Sequence, residues 1–124
     1  MTETRGTILV IDDDQSLQRM MYLALRRAGY EVIQSFDGQE GLSRLTTLQP
    51  SLIVTDIMMP MMDGFEMFQQ IKERVQDDGI PIVVITALNR KPWFADMEDE
   101  GAVILQKPFS VENLVDLINI TLDQ

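Results

Sequence analysis

The feature that most constrains this chain is a regular alternation of short β-branched apolar runs with longer stretches that are apolar on one helical face only. Thr7 to Ile11 (TILVI) is the first run and it stops at Asp12. Leu17, Met20, Met21, Ala24, Leu25 and Ala28 then recur at helical spacing, and Gly29 supplies a helix end. Glu31 to Ser35 forms a second strand, and Asp37-Gly38 starts a second helix carrying Leu42, Leu45 and Leu48, closed by Pro50. Leu52 to Thr55 is a third strand ending at Asp56, followed by a helix that Gly64 opens and that carries Phe65, Phe68, Ile71 and Val75 on one face. Ile82 to Ile85 is a fourth strand ending at Thr86, and Pro92 fits the first turn of a short helix that Gly101 ends. Val103 to Leu105 is a fifth strand, and Ser110 caps a last helix with Val111, Leu114, Val115, Ile118 and Leu122 inward.

Strands alternating with helices in this way predict an α/β domain with a parallel sheet. The first, third and fourth runs are apolar throughout, as strands covered on both faces must be. Right-handed crossovers favour a doubly wound sheet, and a (βα)5 chain of this length suits the flavodoxin-like order 2-1-3-4-5. The 124 residues suit one domain, here residues 7–124 behind a short tail at 1–6.

Composition narrows the chemistry. There is no Cys and no His, which excludes thiolate zinc sites, Cys nucleophiles, Ser-His-Asp triads and a phosphohistidine on this chain. Lys plus Arg number 10 against 20 Asp plus Glu, a formal net charge of −10. That balance argues against direct binding to nucleic acid, which demands a basic footprint, and fits a divalent cation or a basic protein surface better. Scattered surface acids also serve plain solubility. No apolar run approaches the roughly 18 to 20 residues of a membrane span, so a soluble, cytoplasmic protein is expected.

In a doubly wound sheet, ligands bind beyond the carboxyl ends of the strands where the strand order reverses, here between strands 1 and 3. Those ends deliver Asp12 and Asp13 from strand 1, Asp56 from strand 3, Thr86 from strand 4 and Lys107 from strand 5. Carboxylates brought that close repel, a pair at about 4 Å by about 4 kcal/mol at an effective dielectric of 20. A hard cation with oxygen ligands, Mg²⁺ or Mn²⁺, resolves the conflict. Cation, ammonium and hydroxyl around one carboxylate suit the equatorial oxygens of a transferring phosphoryl group, with Asp56 as the nucleophile. Singly each residue has a plainer reading: an Asp pair after a strand is often a helix N-cap, Lys before Pro at a strand end is usually incidental, and Thr after an apolar strand is commonly structural. Their joint placement at the strand ends is what carries the signal.

With these residues in view, the chain resembles the receiver domain of two-component response regulators, of the single-domain, chemotaxis-regulator-like kind. The resemblance rests on ILVIDDD (Ile8 to Asp14), TDIMMPMMDGFE (Thr55 to Glu66), VVITA (Val83 to Ala87) and QKPF (Gln106 to Phe109), in this order and spacing. It implies that Asp56 is the phosphoacceptor and that Asp13 binds Mg²⁺ directly, with Asp12 assisting through the ion's water and the Met58 backbone carbonyl completing the site. It further implies that Lys107 contacts the phosphoryl group, that Thr86 moves to it after transfer, that Lys107-Pro108 is a cis peptide bond, and that Pro60 and Gly64 shape the intervening loop. The donor would be phosphohistidine on a histidine kinase or a phosphotransfer protein. The helix 4–strand 5–helix 5 surface would then switch, signalling to a partner or output domain, with slow self-dephosphorylation rather than turnover.

Three departures from the family pattern stand out. Ile104 occupies the position, three before the lysine, where Tyr or Phe usually acts as a rotating switch. The segment from Gly101 to Lys107 is one residue shorter than usual. The fourth helix is brief, with Trp93 expected against the sheet and Asp96, Glu98, Asp99 and Glu100 as a solvated face. On the last helix Ile120 faces outward, a candidate for a phosphorylation-dependent dimer contact. A phosphohydrolase of the haloacid dehalogenase type would also use an aspartate nucleophile, but its DxDxT or DxDxV motif is spoiled here by Ser16 after Asp12 and Asp14, and no cap domain follows. A receiver fold serving only as a binding module would not need the complete polar set, and the acids after strand 1 would repel a flavin phosphate.

Overall fold

In a computed structural model, the described residues are 5–57 and 64–123, with the side chains of 64 and 65 excluded. Strands β1 (Thr7–Ile11), β2 (Glu31–Ser35), β3 (Leu52–Asp56), β4 (Ile82–Thr86) and β5 (Ala102–Gln106) alternate with helices α1 (Gln15–Arg27), α2 (Gly38–Leu45), α3 (Gly64–Asp78), α4 (Pro92–Asp99) and α5 (Val111–Leu122). The strands pair in parallel in the order β2-β1-β3-β4-β5. This is the expected flavodoxin-like arrangement, and β1 and β3, where the order reverses, run side by side with Ile11 opposite Thr55.

Side chains alternate across a strand, so the sheet divides the core in two. Leu9, Ile11, Ile53, Ile82 and Val84 face one layer with Leu45, Phe68, Ile71, Val75, Phe94 and Met97 from α2, α3 and α4. Ile8, Val10, Leu52, Val54, Val83 and Ile85 face the other, with Met21 and Leu25 from α1 and Leu114 and Ile118 from α5. Each fully buried aliphatic side chain contributes roughly 1.5–3 kcal/mol, so these layers are the main source of stability.

The helix ends follow local chemistry. The Asp14 carboxylate accepts from Leu17 N at 3.1 Å, that of Asp37 from Glu40 N at 2.7 Å, and the Ser110 hydroxyl from Asn113 N at 3.1 Å, each meeting an otherwise unpaired helix amide. Gly29 closes α1 at φ +102°, a conformation that costs glycine little, while Tyr30 N reaches back to Leu25 O at 3.1 Å. At α2, Gly41 lies so close to β1 that a Cβ there would stand 2.5 Å from Ile11 Cδ1.

The helical faces differ from expectation in places. Met20 is 54% exposed, because the buried line of α1 runs Gln18, Met21, Leu25; Met20 sits roughly 200° around the helix from Gln18 at 3.6 residues per turn. On α3, Met67 joins Phe68, Ile71 and Val75 in the core, while the Phe65 side chain lies outside the described residues. On α5 only Leu114 and Ile118 are fully buried; Val111, Val115 and Leu122 are half-buried, and Ile120 is 61% exposed. Trp93 is half-buried against the α2–α4 layer and meets Phe94 edge to face at 4.6 Å between ring centroids. Glu100 departs from the solvated acidic face: it pairs with Lys72 at 3.3 Å and its Oε2 is buried. Among the described residues, no helix is long and apolar enough to cross a membrane.

Candidate functional site

The site assembles at the carboxyl rim of β1, β3, β4 and β5. Asp12 follows β1 directly and is wholly buried. Three hydrogen bonds fix it: its N–H donates to Ser35 O at 3.0 Å, its Oδ1 accepts from Asp14 N at 2.8 Å, and its carbonyl accepts from Gln18 Nε2 at 3.2 Å. Its Oδ2 is buried with no hydrogen-bond partner among the described residues and faces Lys107 Nζ at 3.8 Å. Asp13 is exposed beside it. The cap of α1 is Asp14, so the plainer reading of the Asp12–Asp13 pair as a helix cap does not hold; their carboxylates are not used to start the helix.

Asp56 closes β3 and is 4% exposed. Lys107 Nζ donates to Asp56 Oδ2 at 2.9 Å, carried there from the far side of the sheet because Lys107 directly follows β5. The Lys107–Pro108 peptide bond is cis. Carboxylate oxygens of Asp12, Asp13 and Asp56 all lie within 4.8 Å of one another. Thr86, fully buried at the end of β4, accepts from Leu88 N at 2.9 Å through Oγ1, and its carbonyl accepts from Lys107 N at 2.7 Å. The Leu88 carbonyl accepts in turn from the Gln106 side chain at 3.2 Å. Ile104 is half-buried on β5, packed against the α2–α4 layer. Met58 and Pro60 lie outside the described residues, and Gly64 begins α3.

The electrostatics follow from burial and crowding. Desolvation pushes the Asp12 carboxyl from 3.8 up to about 6; the Asp14 N–H and Lys107 oppose this, and the charges of Asp56 and Asp13 add to it. Burial alone pulls the Lys107 ammonium down, but its hydrogen bond to Asp56 and the charges of Asp56, Asp12 and Asp14 outweigh that, and the net shift is upward. Among the described residues, the Lys107 ammonium pairs with Asp12 and Asp56 of this three-carboxylate cluster, and the buried Asp12 Oδ2 has no hydrogen-bond partner. That donor set, all oxygen, fits a hard divalent cation.

Sequence reasoning missed Gln18. Its side chain is buried, Nε2 donating to Val10 O at 3.1 Å, Asp12 O at 3.2 Å and Ser35 O at 2.7 Å, while Oε1 accepts from Gln34 Nε2 at 3.1 Å. The available signal was its phase, three and seven residues before Met21 and Leu25 on the inward line of α1. Asp14, the second acid of the dehalogenase-like spacing, is committed to capping α1 and is exposed.

Comparison with known proteins points one way. The family model described as response regulator receiver domain matches residues 8–119. The DNA-binding dual master transcriptional regulator RpaA of Synechocystis sp. is 38% identical over 109 residues, covering 87% of this chain and 45% of that protein. The alkaline phosphatase synthesis transcriptional regulatory protein PhoP of Bacillus subtilis is 41% identical over 104 residues, covering 83% of this chain and 42% of that protein. This chain therefore spans less than half the length of these curated relatives. Among solved structures, the chemotaxis response regulator CheY4 of Vibrio cholerae superposes with a TM-score of 0.83 at 30% identity, covering 97% of this chain and 99% of that one.

Proposed function

Because the chain belongs to the response regulator receiver domain family of two-component signalling, we propose that Asp56 accepts a phosphoryl group from a phosphohistidine donor, a histidine kinase or a phosphotransfer protein. The observation that carries this reading is the pairing of Lys107 Nζ with Asp56 Oδ2 at 2.9 Å beside the buried Oδ2 of Asp12, which has no hydrogen-bond partner among the described residues. A carboxylate so placed has a cationic donor at hydrogen-bond distance and neighbouring carboxylate oxygens close enough to share a cation with it.

In this mechanism an Asp56 oxygen forms the new bond to phosphorus as the bond from phosphorus to the donor's imidazole nitrogen breaks, and that electron pair leaves with the imidazole. Lys107 exchanges its carboxylate partner for a phosphoryl oxygen and holds it as a point charge. The Thr86 hydroxyl accepts from Leu88 N and retains its own proton for donation to a second phosphoryl oxygen. Asp12, Asp13 and Asp56, with the Met58 carbonyl, would hold Mg²⁺, or Mn²⁺ in its place. Bound there, the cation would neutralise charge on the transferring group.

The aspartyl phosphate adds about −1.5 to −2 charges, and drawing Thr86 and Lys107 toward it biases the α4–β5–α5 surface between two arrangements. With Ile104 at the usual aromatic position, the path out of the site runs through Thr86 and the Leu88 segment that Gln106 holds. Residues 7–124 act as the receiver, 1–6 as a tail, and the setting is the cytoplasm. An exposed Ile120 is available to a dimer or target contact. Met58 lacks a polar side chain to position a hydrolytic water, so self-dephosphorylation is slow. The acidic receiver leaves nucleic acid to other parts of longer relatives.

The test is beryllofluoride with Mg²⁺, followed by Trp93 fluorescence and by size in solution. Wild type responds and Asp56→Asn does not; a silent wild type, or an Asp56→Asn variant that responds equally, overturns the proposal.

A further inference from the structure

We infer that Gln18 is a positioning residue for the cation site: its buried side-chain amide locks the Asp12 backbone so that the Asp12 and Asp13 carboxylates are held ready for the ion. The inference rests on the reading of these acids as the cation's ligands, and it concerns a residue that touches neither cation nor phosphoryl group.

Three observations carry it. First, Gln18 is 1% exposed, and a buried amide with this much hydrogen-bonding capacity is retained only where its partners require it. Second, its partners lie around the turn that presents the acids. Nε2 reaches Val10 O, Asp12 O and Ser35 O, so two N–H groups are shared among three carbonyls at the joint between β1 and β2. Ser35 O also accepts from Asp12 N, which closes a ring of hydrogen bonds from Asp12 through Ser35 and Gln18 back to Asp12. Third, the amide's orientation is itself fixed, because Gln34 Nε2 donates to Gln18 Oε1 at 3.1 Å and to Gln18 O at 3.2 Å. With Oε1 engaged by Gln34, Nε2 points at the carbonyls.

The consequence is geometric. Asp12 cannot rotate about its backbone without breaking bonds to Ser35, Gln18 and Asp14 together. Its Oδ2, without a hydrogen-bond partner among the described residues, is therefore held at the cluster before any ion arrives, and the ordering cost of bringing carboxylates together is met by folding rather than by binding. Groups that orient metal ligands from outside the coordination sphere set affinity by roughly 10–100-fold.

The test is direct binding of Mn²⁺ alone, read from the free-ion electron paramagnetic resonance signal, with folding checked by far-ultraviolet circular dichroism. Gln18→Met keeps length and helix preference but removes the amide; Gln18→Asn retracts the amide by one methylene and serves if the methionine variant does not fold. Leu25→Val, a truncation in the same helix and core layer, is the control. The expected result is Mn²⁺ affinity about tenfold or more weaker in either Gln18 variant, with Leu25→Val within about twofold of wild type. Unchanged affinity in folded Gln18 variants overturns the inference, and so does an equal loss in Leu25→Val, which would make the effect one of general stability. A wild type that binds no Mn²⁺ overturns the cation site itself, a separate outcome.

Discussion

At the scale of single residues, Asp12 shows what the site costs the fold. Its carboxyl titrates near 6 in the folded protein against 3.8 for the ordinary group. The folded state therefore binds more protons than the unfolded chain between those values, and stability falls as the pH rises through that window. Above it, both states are ionised and the penalty stays constant. Asp12→Asn removes the penalty while Asn Oδ1 can still accept from Asp14 N. In the absence of divalent cations, Asp12→Asn is expected to be more stable than wild type at pH 7 by on the order of 2–3 kcal/mol. The advantage shrinks as the pH is lowered from 6 toward 4, and added Mg²⁺ stabilises the wild type only. Denaturant melts at several pH values check this; a variant less stable than wild type without Mg²⁺ would count against it. The residues of this cluster were legible because each ends an apolar strand: Asp12, Asp56 and Thr86 sit where a hydrophobic run stops. The setting of Asp12 Oδ2 was not legible, since it depends on where Lys107 comes to rest, within ion-pair range at 3.8 Å but beyond hydrogen-bond distance.

At the scale of elements, α2 and β1 meet through the narrowest contact described above, Gly41 against Ile11. An alanine at 41 gains up to about 1 kcal/mol of helix preference but drives its methyl into Ile11 Cδ1 in a fully buried position; overpacking of that kind costs about 1–3 kcal/mol. Ile11→Val deletes the clashing methyl and alone costs about 0.5–1.5 kcal/mol. The double variant Gly41→Ala, Ile11→Val is therefore expected to be more stable than the two single effects sum to, by about 1 kcal/mol or more, in a double-mutant cycle of urea melts. Strict additivity would mean that helix and strand do not touch there. Elements were readable wherever local chemistry decides them: β1 and β2 run as the sequence implies, and Asp37 and Ser110 cap as expected. What local chemistry hides is orientation. Gln18 is absent from the expected core line of α1 and Met20 is on it, yet Gln18 is buried as the donor to the carbonyls of Val10, Asp12 and Ser35 while Met20 is exposed. Glu100 was misjudged for the same reason: its partner Lys72 lies 28 residues away on another helix.

At the scale of the whole molecule, a wholly parallel sheet gives the domain two unlike rims. The carboxyl rim carries Asp12, Asp13, Asp56, Thr86 and Lys107; the opposite rim carries the start of β1 and the end of α5. There Arg5 meets Asp123 at 3.4 Å, stacks over the Tyr30 ring at 5.2 Å, and its N–H bonds Gly29 O, while Tyr30 OH donates to Asn119 Oδ1 at 2.5 Å. As an exposed pair, Arg5–Asp123 contributes about 0–1 kcal/mol, so its significance is positional. It makes the order of the chain separable from the shape of the domain. A circular permutant, with positions 5 and 123 bridged by a flexible Gly/Ser linker of about six residues and new ends opened between Asp78 and Gly79, should melt in one transition and still answer beryllofluoride. Failure to fold would mean that the β1-first order is needed to reach the structure. The same closeness makes the domain a cassette: a host chain can enter and leave through one small doorway, with the rim that bears Asp12, Asp56 and Lys107 turned outward from the host.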